Sequence, residues 1–270
     1  MRDASVVVNG TGRLVSYYVE GLRWLQRHAG IAGIYLDGIS FGRETLRRAR
    51  RVADYAVRDG GGAGKAPLFD VHPNNKTLVY LEYAPFFDSQ WVGELADFSR
   101  GPDHYLVTMS GVPFGVPSQM LTGKNLQGTV FRGLLFGMTF RPGWHGPDQG
   151  RCAELWRAFD AYEVAELAGW WEDAPLVSTG NPLVKASLLL SAKRDKFLLV
   201  VASWAPKAET VVLDIAWDRL GVAQDAAKAA LVDVGHFQEP RELGSMAAGA
   251  AGGWKGPRVE PKGGYVVGVR

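Results

Sequence analysis

The chain has 270 residues, 47% of them hydrophobic and 21% charged, and its 30 basic and 28 acidic side chains give a formal charge of +2. Such a composition can bury a core, and the near-neutral balance gives no electrostatic reason to expect nucleic acid or an anionic membrane as a partner. There is no run of about 18 apolar residues to span a membrane, and a single cysteine, Cys152, rules out an intrachain disulfide and a cysteine-rich metal site.

The opening residues, MRDASVVVNG, lack the pattern of a secretory signal. Tyr17 to Arg27 carries Tyr18, Val19, Leu22 and Leu25 at helical spacing, with Gly30 as a C-cap. Ile31 to Leu36 is a short apolar run without polar alternation, which predicts a strand buried on both faces of a parallel sheet. It ends at Asp37, and Gly38 permits a sharp exit. Arg43 to Val57 predicts a second helix, with Leu46, Ala49, Val52, Ala53 and Ala56 on one face and its arginines in solvent.

Gly60 to Lys65 (GGGAGK) resembles a phosphate-binding loop only superficially. Its lysine is not followed by Ser or Thr and no strand precedes it, so a flexible connection is expected. APLFDVH predicts a strand ending in Asp70 and His72. Val79 to Tyr83 predicts a third, ending near Glu82. Pro85 to Phe98, with Asp88, Trp91 and Glu94, is expected to be helix and loop. Tyr105 to Ser110 predicts a strand, Gly128 to Phe140 is either strand or helix, and Cys152 to Leu167 predicts a helix that buries an inert thiol.

Alternation of this kind indicates βα units. The expected fold is α/β: residues 1–174 form a (β/α) barrel portion, the C-terminal part of a TIM-type barrel, and residues 175–270 form a small antiparallel β-sandwich domain. Only four or five βα units are visible, whereas a complete barrel takes about 200 residues or more. In the second region KFLLVVASW and ETVVLDIAW have the β-branched content of a meander. Turn signals stand at Lys193 to Lys196 and Pro206 to Ala208. SMAAGAAGGWKG predicts a loop, and RVEPKGGYVVGV a last strand.

Carboxylates recur at strand C-termini: Asp37, Asp70 and Glu82. In a β/α-barrel that end of the strands is the active face, and carboxylates fixed there suit general acid–base work. These three are the candidate catalytic residues. The competing reading of Asp37 is a cap on the next helix, and that of Glu82 is a buried salt bridge. Asp70 and His72 share one side of their strand, a spacing that fits a ligand pair for a metal or an acid with an orienting base. No third ligand follows, so no metal or other cofactor is expected and His72 is assigned to substrate hydrogen bonding. Glu94, Trp91, Trp144 and His145 are the remaining candidate substrate contacts, the tryptophans because an aromatic face can stack on a ligand ring. The competing reading is ordinary packing or, for Glu94, a solvated helix position. Trp24, Trp156, Trp204 and Trp217 lie in regular elements and are expected in the core.

The stretches VNGTGRLVSYYVEGLRWLQRHAGIAGIYLDGISFGRETLRRARRV, LFDVHPNN, VYLEYAPFFDSQWVGE, YLVTMSGVPFG and LLFGMTFRPGW resemble a group of glycoside-hydrolase-like proteins related to the catalytic domain of glycoside hydrolase family 123. NPLVKASLLLSAKRDKFLLVVASW is similar to the strands that follow the barrel in that group, so the resemblance covers most of the chain. It implies a β/α-barrel acting on a carbohydrate, and it implies that this chain corresponds to the C-terminal portion of longer proteins. Family 123 enzymes remove N-acetylgalactosamine with an adjacent Asp-Glu pair and the substrate's acetamido group as nucleophile. No such pair ends a strand here. The adjacent acids Glu172 and Asp173 follow Trp170 and Trp171, beyond the barrel helices. The alternatives to a glycoside hydrolase are a non-catalytic carbohydrate-binding or interaction protein and a metal-dependent hydrolase.

Overall fold

The computed structural model describes residues 9–38, 42–60, 67–72, 81–93, 96–121, 127–141, 149–235, 237–246 and 253–270. The GGGAGK connection beyond Gly60, the start of the Val79 strand, most of the SMAAGAAGG loop, and Glu94, Trp144 and His145 lie outside them. The chain divides into two compact units, Met1–Leu95 with Pro113–Pro117, and Ala96–Val112 with Ser118–Arg270.

In the first unit, helix α1 (Arg13–His28) packs on α2 (Arg43–Arg58), and strands β1 (Gly33–Asp37), β2 (Leu68–His72) and β3 (Ser89–Gly93) lie side by side in parallel. The register sets Tyr35 beside Asp70 and Asp37 beside His72, and Asp70 beside Ser89. One face of the strands is apolar. Leu36, Phe69 and Val71 pack there against Leu22, Leu46, Ala49, Ala53 and Phe87. Asp88, just before β3, accepts the Phe69 N–H at 2.8 Å and pairs with Arg50 of α2, which ties helix to sheet. Gly33 is dictated by the approach of β2: a Cβ there would sit 2.2 Å from the Leu68 carbonyl oxygen.

Three expectations for this unit need correction. β1 is not buried on both faces. Leu36 is buried, whereas Tyr35 is 47% exposed and Asp37 also faces out. Among the described residues β1 bonds to β2 alone, and the helices cover one side only. The segment ending at Tyr83 is not a strand end: Leu81–Phe86 forms a 3-10 turn containing Pro85, and the strand comes next, at Ser89–Gly93, where helix and loop were expected. Pro85 has no N–H to give a sheet ladder, so pairing starts only after it. Trp24 is 56% exposed rather than core. Helical spacing shows that an apolar residue lies on a face, not that the face is covered. α1 has two apolar stripes, and α2 takes the one formed by Val15, Val19 and Leu22.

In the second unit, strands β4 (Ser118–Leu121) and β5 (Thr139–Arg141) pair in parallel, with helix α3 (Gln127–Leu134) between them in sequence and α4 (Gln149–Ala161) after them. Then come β6 (Val164–Ala168), β7 (Val177–Ser178), β8 (Val184–Ser191), β9 (Phe197–Ser203), β10 (Val212–Ile215), β11 (Lys228–Leu231), β12 (Arg241–Ser245), β13 (Trp254–Lys255) and β14 (Gly264–Val269). They build a sheet in the order β12-β11-β14-β9-β8-β6 and a smaller one, β13-β10-β7. Leu188, Leu190, Leu199 and Val201 of the large sheet share one core with Leu213, Ile215 and Trp254 of the small one. Antiparallel sheets were expected here, and the larger of the two also takes in β6, ahead of residue 175. The far face of β9 packs on α3, which comes so near that a Cβ on Gly264 of β14 would meet the Phe131 Cβ at 2.3 Å.

Here too local chemistry overrides pattern. Tyr105 to Ser110 is not a strand but a π-helical turn, Tyr105–Met109, closed by the Ser110 N–H on the Tyr105 carbonyl at 2.8 Å. Gly101-Pro102 starts it, since Pro suits a helix's first turn. The hydroxyls of Thr108 and Ser110 then donate back to the carbonyls of His104 and Leu106 at 2.6 and 2.7 Å, a helical rather than an extended arrangement. The helix expected to run to Leu167 stops at Ala161, because Glu163 takes a left-handed φ of 49°, and β6 follows. Trp156, expected in the core, is exposed on α4. Cys152 is buried, as expected, and its thiol donates to the Phe140 carbonyl.

Candidate active site

The face of β1–β3 opposite the helices carries Tyr35 and Asp37, Asp70 and His72, Ser89 and Trp91. This follows from alternation: Leu36, Phe69 and Val71 are committed to the core, so their neighbours point the other way. The sequence thus places two carboxylates, an imidazole, a hydroxyl and an indole on one rigid surface, all but the Ser89 hydroxyl within the last three residues of their strands.

Two hydrogen-bonded groups organise that surface. His72 Nδ1 lies 3.0 Å from Asp37 Oδ1, between adjacent strand ends. The imidazole is buried while the carboxylate is 74% exposed. For Asp37 to accept, the ring proton must sit on Nδ1, so a neutral His72 presents Nε2 as an acceptor. A carboxylate-oriented imidazole of this kind can hold and pass a proton. The second group centres on Asp70. Its Oδ1 accepts the Ser89 hydroxyl at 2.6 Å and its Oδ2 accepts the Trp91 indole N–H. Both oxygens are therefore engaged from β3, which fixes the carboxylate's rotamer and leaves it only its remaining lone pairs for a ligand.

The structure brings together four of the expected site residues, Asp37 with His72 and Asp70 with Trp91. Asp70 and His72 do not share a ligand between them, since each turns to its own partner. Among the described residues no cluster of three or more His, Cys, Asp or Glu side chains could hold a metal ion. Glu82 stands apart, exposed on the 3-10 turn. It takes the Tyr83 hydroxyl, an interaction that pushes the phenol up from its ordinary value. Ser89 and Tyr35 were missed. Ser-Gln-Trp at 89–91 alternates polar and aromatic positions in the way a half-exposed strand does, and that signal was available once the turn at Pro85 had been recognised.

Comparison with known proteins adds the following. Residues 1–143 match the family model described as the glycoside hydrolase 123 TIM-barrel domain, and residues 151–249 match that described as the glycoside hydrolase 123 C-terminal domain. No curated protein matches the chain. A solved structure similar to it is a family 36 α-galactosidase from Geobacillus stearothermophilus in complex with stachyose, with 10% identity and a TM-score of 0.49. The alignment covers 97% of this chain and 38% of that one, so this chain spans well under half of that enzyme's length. The barrel match alone takes in more than half of the residues, and the chain belongs to glycoside hydrolase family 123.

Proposed function

We propose that this protein acts on carbohydrate as a glycoside hydrolase, with the polar face of β1–β3 as its active surface. One observation carries the reading: in a family 123 chain, carboxylates at adjacent parallel strand ends are held by partners on the same face, Asp37 by His72 and Asp70 by Ser89 and Trp91. Rigid strands fix the separation of such groups, and acid–base cleavage of a glycosidic bond depends on that separation. Asp37 with His72 suits proton transfer to and from the glycosidic oxygen. Asp70 suits the second task, stabilising positive charge on the sugar ring or accepting its hydroxyls. The exposed Glu82 is the third candidate acid.

A second reading has its own support. Both oxygens of Asp70 are already engaged, and no adjacent Asp-Glu pair ends a strand, which suits a carbohydrate-binding surface without turnover. The test is hydrolysis of aryl glycosides and native glycans by the full chain, run beside a glycan-binding array. Asp37→Asn and Asp70→Asn should each lower turnover by roughly a hundredfold or more, with Glu82→Gln as the third arm. Turnover that survives all three unchanged would sink the site assignment. Binding without turnover would establish the second reading instead.

A further inference from the structure

Helix α1 is apolar on two sides. α2 covers the side made by Val15, Val19 and Leu22, while Leu14, Tyr17, Tyr18, Trp24 and Leu25 form an outward stripe. Each of these five is at least 38% exposed, and Tyr17 is 81% exposed. At the areas usual for such side chains they present roughly 600 Å² to water, as much as the largest patch of a typical monomer. A groove of about 630 Å³ runs along the stripe, and Gly21 is part of its lining.

Gly21 has no cause within its own chain to be glycine. A Cβ there would meet nothing within 4 Å, and the residue takes no left-handed φ. Glycine inside a helix weakens it, so the position is explained by an outside body that comes close to the backbone. The stripe is also its own antiparallel complement. Leu14, Tyr17 and Tyr18 precede Gly21 by the same steps at which His28, Leu25 and Trp24 follow it. Two copies of α1 crossed about Gly21 would set Tyr17 against Leu25 and Tyr18 against Trp24. His28, stacked on Trp24 at 4.8 Å, would meet Leu14. Glu20, beside the crossing, is already held by Arg23 of the same helix. Paired in this way the two stripes bury roughly 1,200 Å², the lower bound for a stable complex, and a two-fold interface requires just such a self-complementary patch.

We infer that the outer stripe of α1 is a two-fold interface between two copies of this chain, crossed at Gly21. An interface of that size gives a Kd on the order of 10 µM, so the chain is monomeric when dilute. Sedimentation equilibrium of the full chain from about 1 to about 300 µM brackets that value. Wild type should pass from 29.4 kDa towards twice that mass as concentration rises. Gly21→Leu fills open space in the monomer but obstructs the crossing. It should weaken the dimer by about tenfold or more, with a urea midpoint in dilute solution no lower than that of wild type, leucine being the better helix former. Trp24→Glu should weaken the dimer as well, by setting a carboxylate against Tyr18 of the second copy. Trp156→Glu, at an exposed tryptophan of α4 outside the stripe, should leave it intact. A wild type that stays at 29.4 kDa throughout overturns the inference and leaves the groove to a different partner. A dimer that Gly21→Leu and Trp24→Glu form as tightly as wild type overturns it too.

Discussion

Strands β2 and β9 are built on opposite plans. All seven residues of β9 are buried, between the small sheet on one side and α3 on the other. β2 alternates: Phe69 and Val71 are buried against helices, while Leu68 is 60% exposed and Asp70 lies on the polar face. Parallel strands usually carry layers on both faces and antiparallel ones can leave a face to water; here β2 and β9 reverse that habit. A strand covered twice contributes packing at every residue. A strand covered once keeps half of its side chains available for chemistry, and in β1–β3 that half is where the carboxylates and the imidazole stand.

The comparison can be broken at its strongest point first. Leu199→Ala, in the middle of β9, should destabilise the second unit by about 3 kcal/mol, the middle of the range for buried leucines, seen as a lower urea midpoint. If the loss were under about 1 kcal/mol, β9 would not be the core that its burial implies. Arg132 sharpens the same contrast from α3. Buried to 4% exposure, it donates to the Ser203 carbonyl at 2.8 and 3.1 Å and to the Phe98 carbonyl at 3.1 Å, and lies over the Trp204 ring. Burial pulls its own value down from that of a free guanidinium. Arg132→Met removes both donors to the Ser203 carbonyl, while the Phe98 carbonyl keeps the Tyr105 hydroxyl at 2.9 Å; it should cost about 2 kcal/mol, measured by the same transition.

Cys152 gives a chemical readout of the buried layer. Desolvation pushes its thiol up to about 11 from an unfolded value of 9.0. Two units lower the thiolate fraction about a hundredfold at pH 8. Iodoacetamide should therefore leave the native protein almost unmodified at that pH and label it fully in urea. Rapid native labelling would show that the layer over α4 opens readily. The smallest effects belong to the half-covered unit. Leu68→Ala and Trp24→Ser should each change the unfolding free energy of the dilute monomer, read from the urea transition, by no more than about 0.5 kcal/mol, the usual scale for exposed positions. A loss of 2 kcal/mol at either would reveal a partner surface over it.

Much of this was legible in the chain itself, for stated reasons. The ends of β1 and β2 could be found because Asp37, and Asp70 with His72, follow short apolar runs, and the alternation of strands then puts them on one face. The β8–β9 hairpin was legible from KFLLVVASW and the turn before it, where Ser191 donates to Asp195 at 2.8 Å. The rest depended on forces that a pattern does not show. The β-rich segment Tyr105 to Ser110 went helical under the control of Gly101-Pro102 and two back-bonding hydroxyls. β3 was hidden behind Pro85, and with it Ser89, the group that fixes Asp70. The exposure of Trp24 depends on which stripe of α1 a neighbour covers, and that is a tertiary fact.

The strand order of the large sheet carries a consequence for how the protein is made. β9 pairs on one side with β8, its hairpin partner, and on the other with β14, where Ala202 meets Gly264. A nascent chain therefore presents β9, apolar from Phe197 to Ala202, with one edge of its ladder open throughout the synthesis of β10 to β13. Open apolar edges are where chains associate wrongly. Expression yield should thus respond more to changes that slow the arrival of β14 than to any change on the polar face of β1–β3.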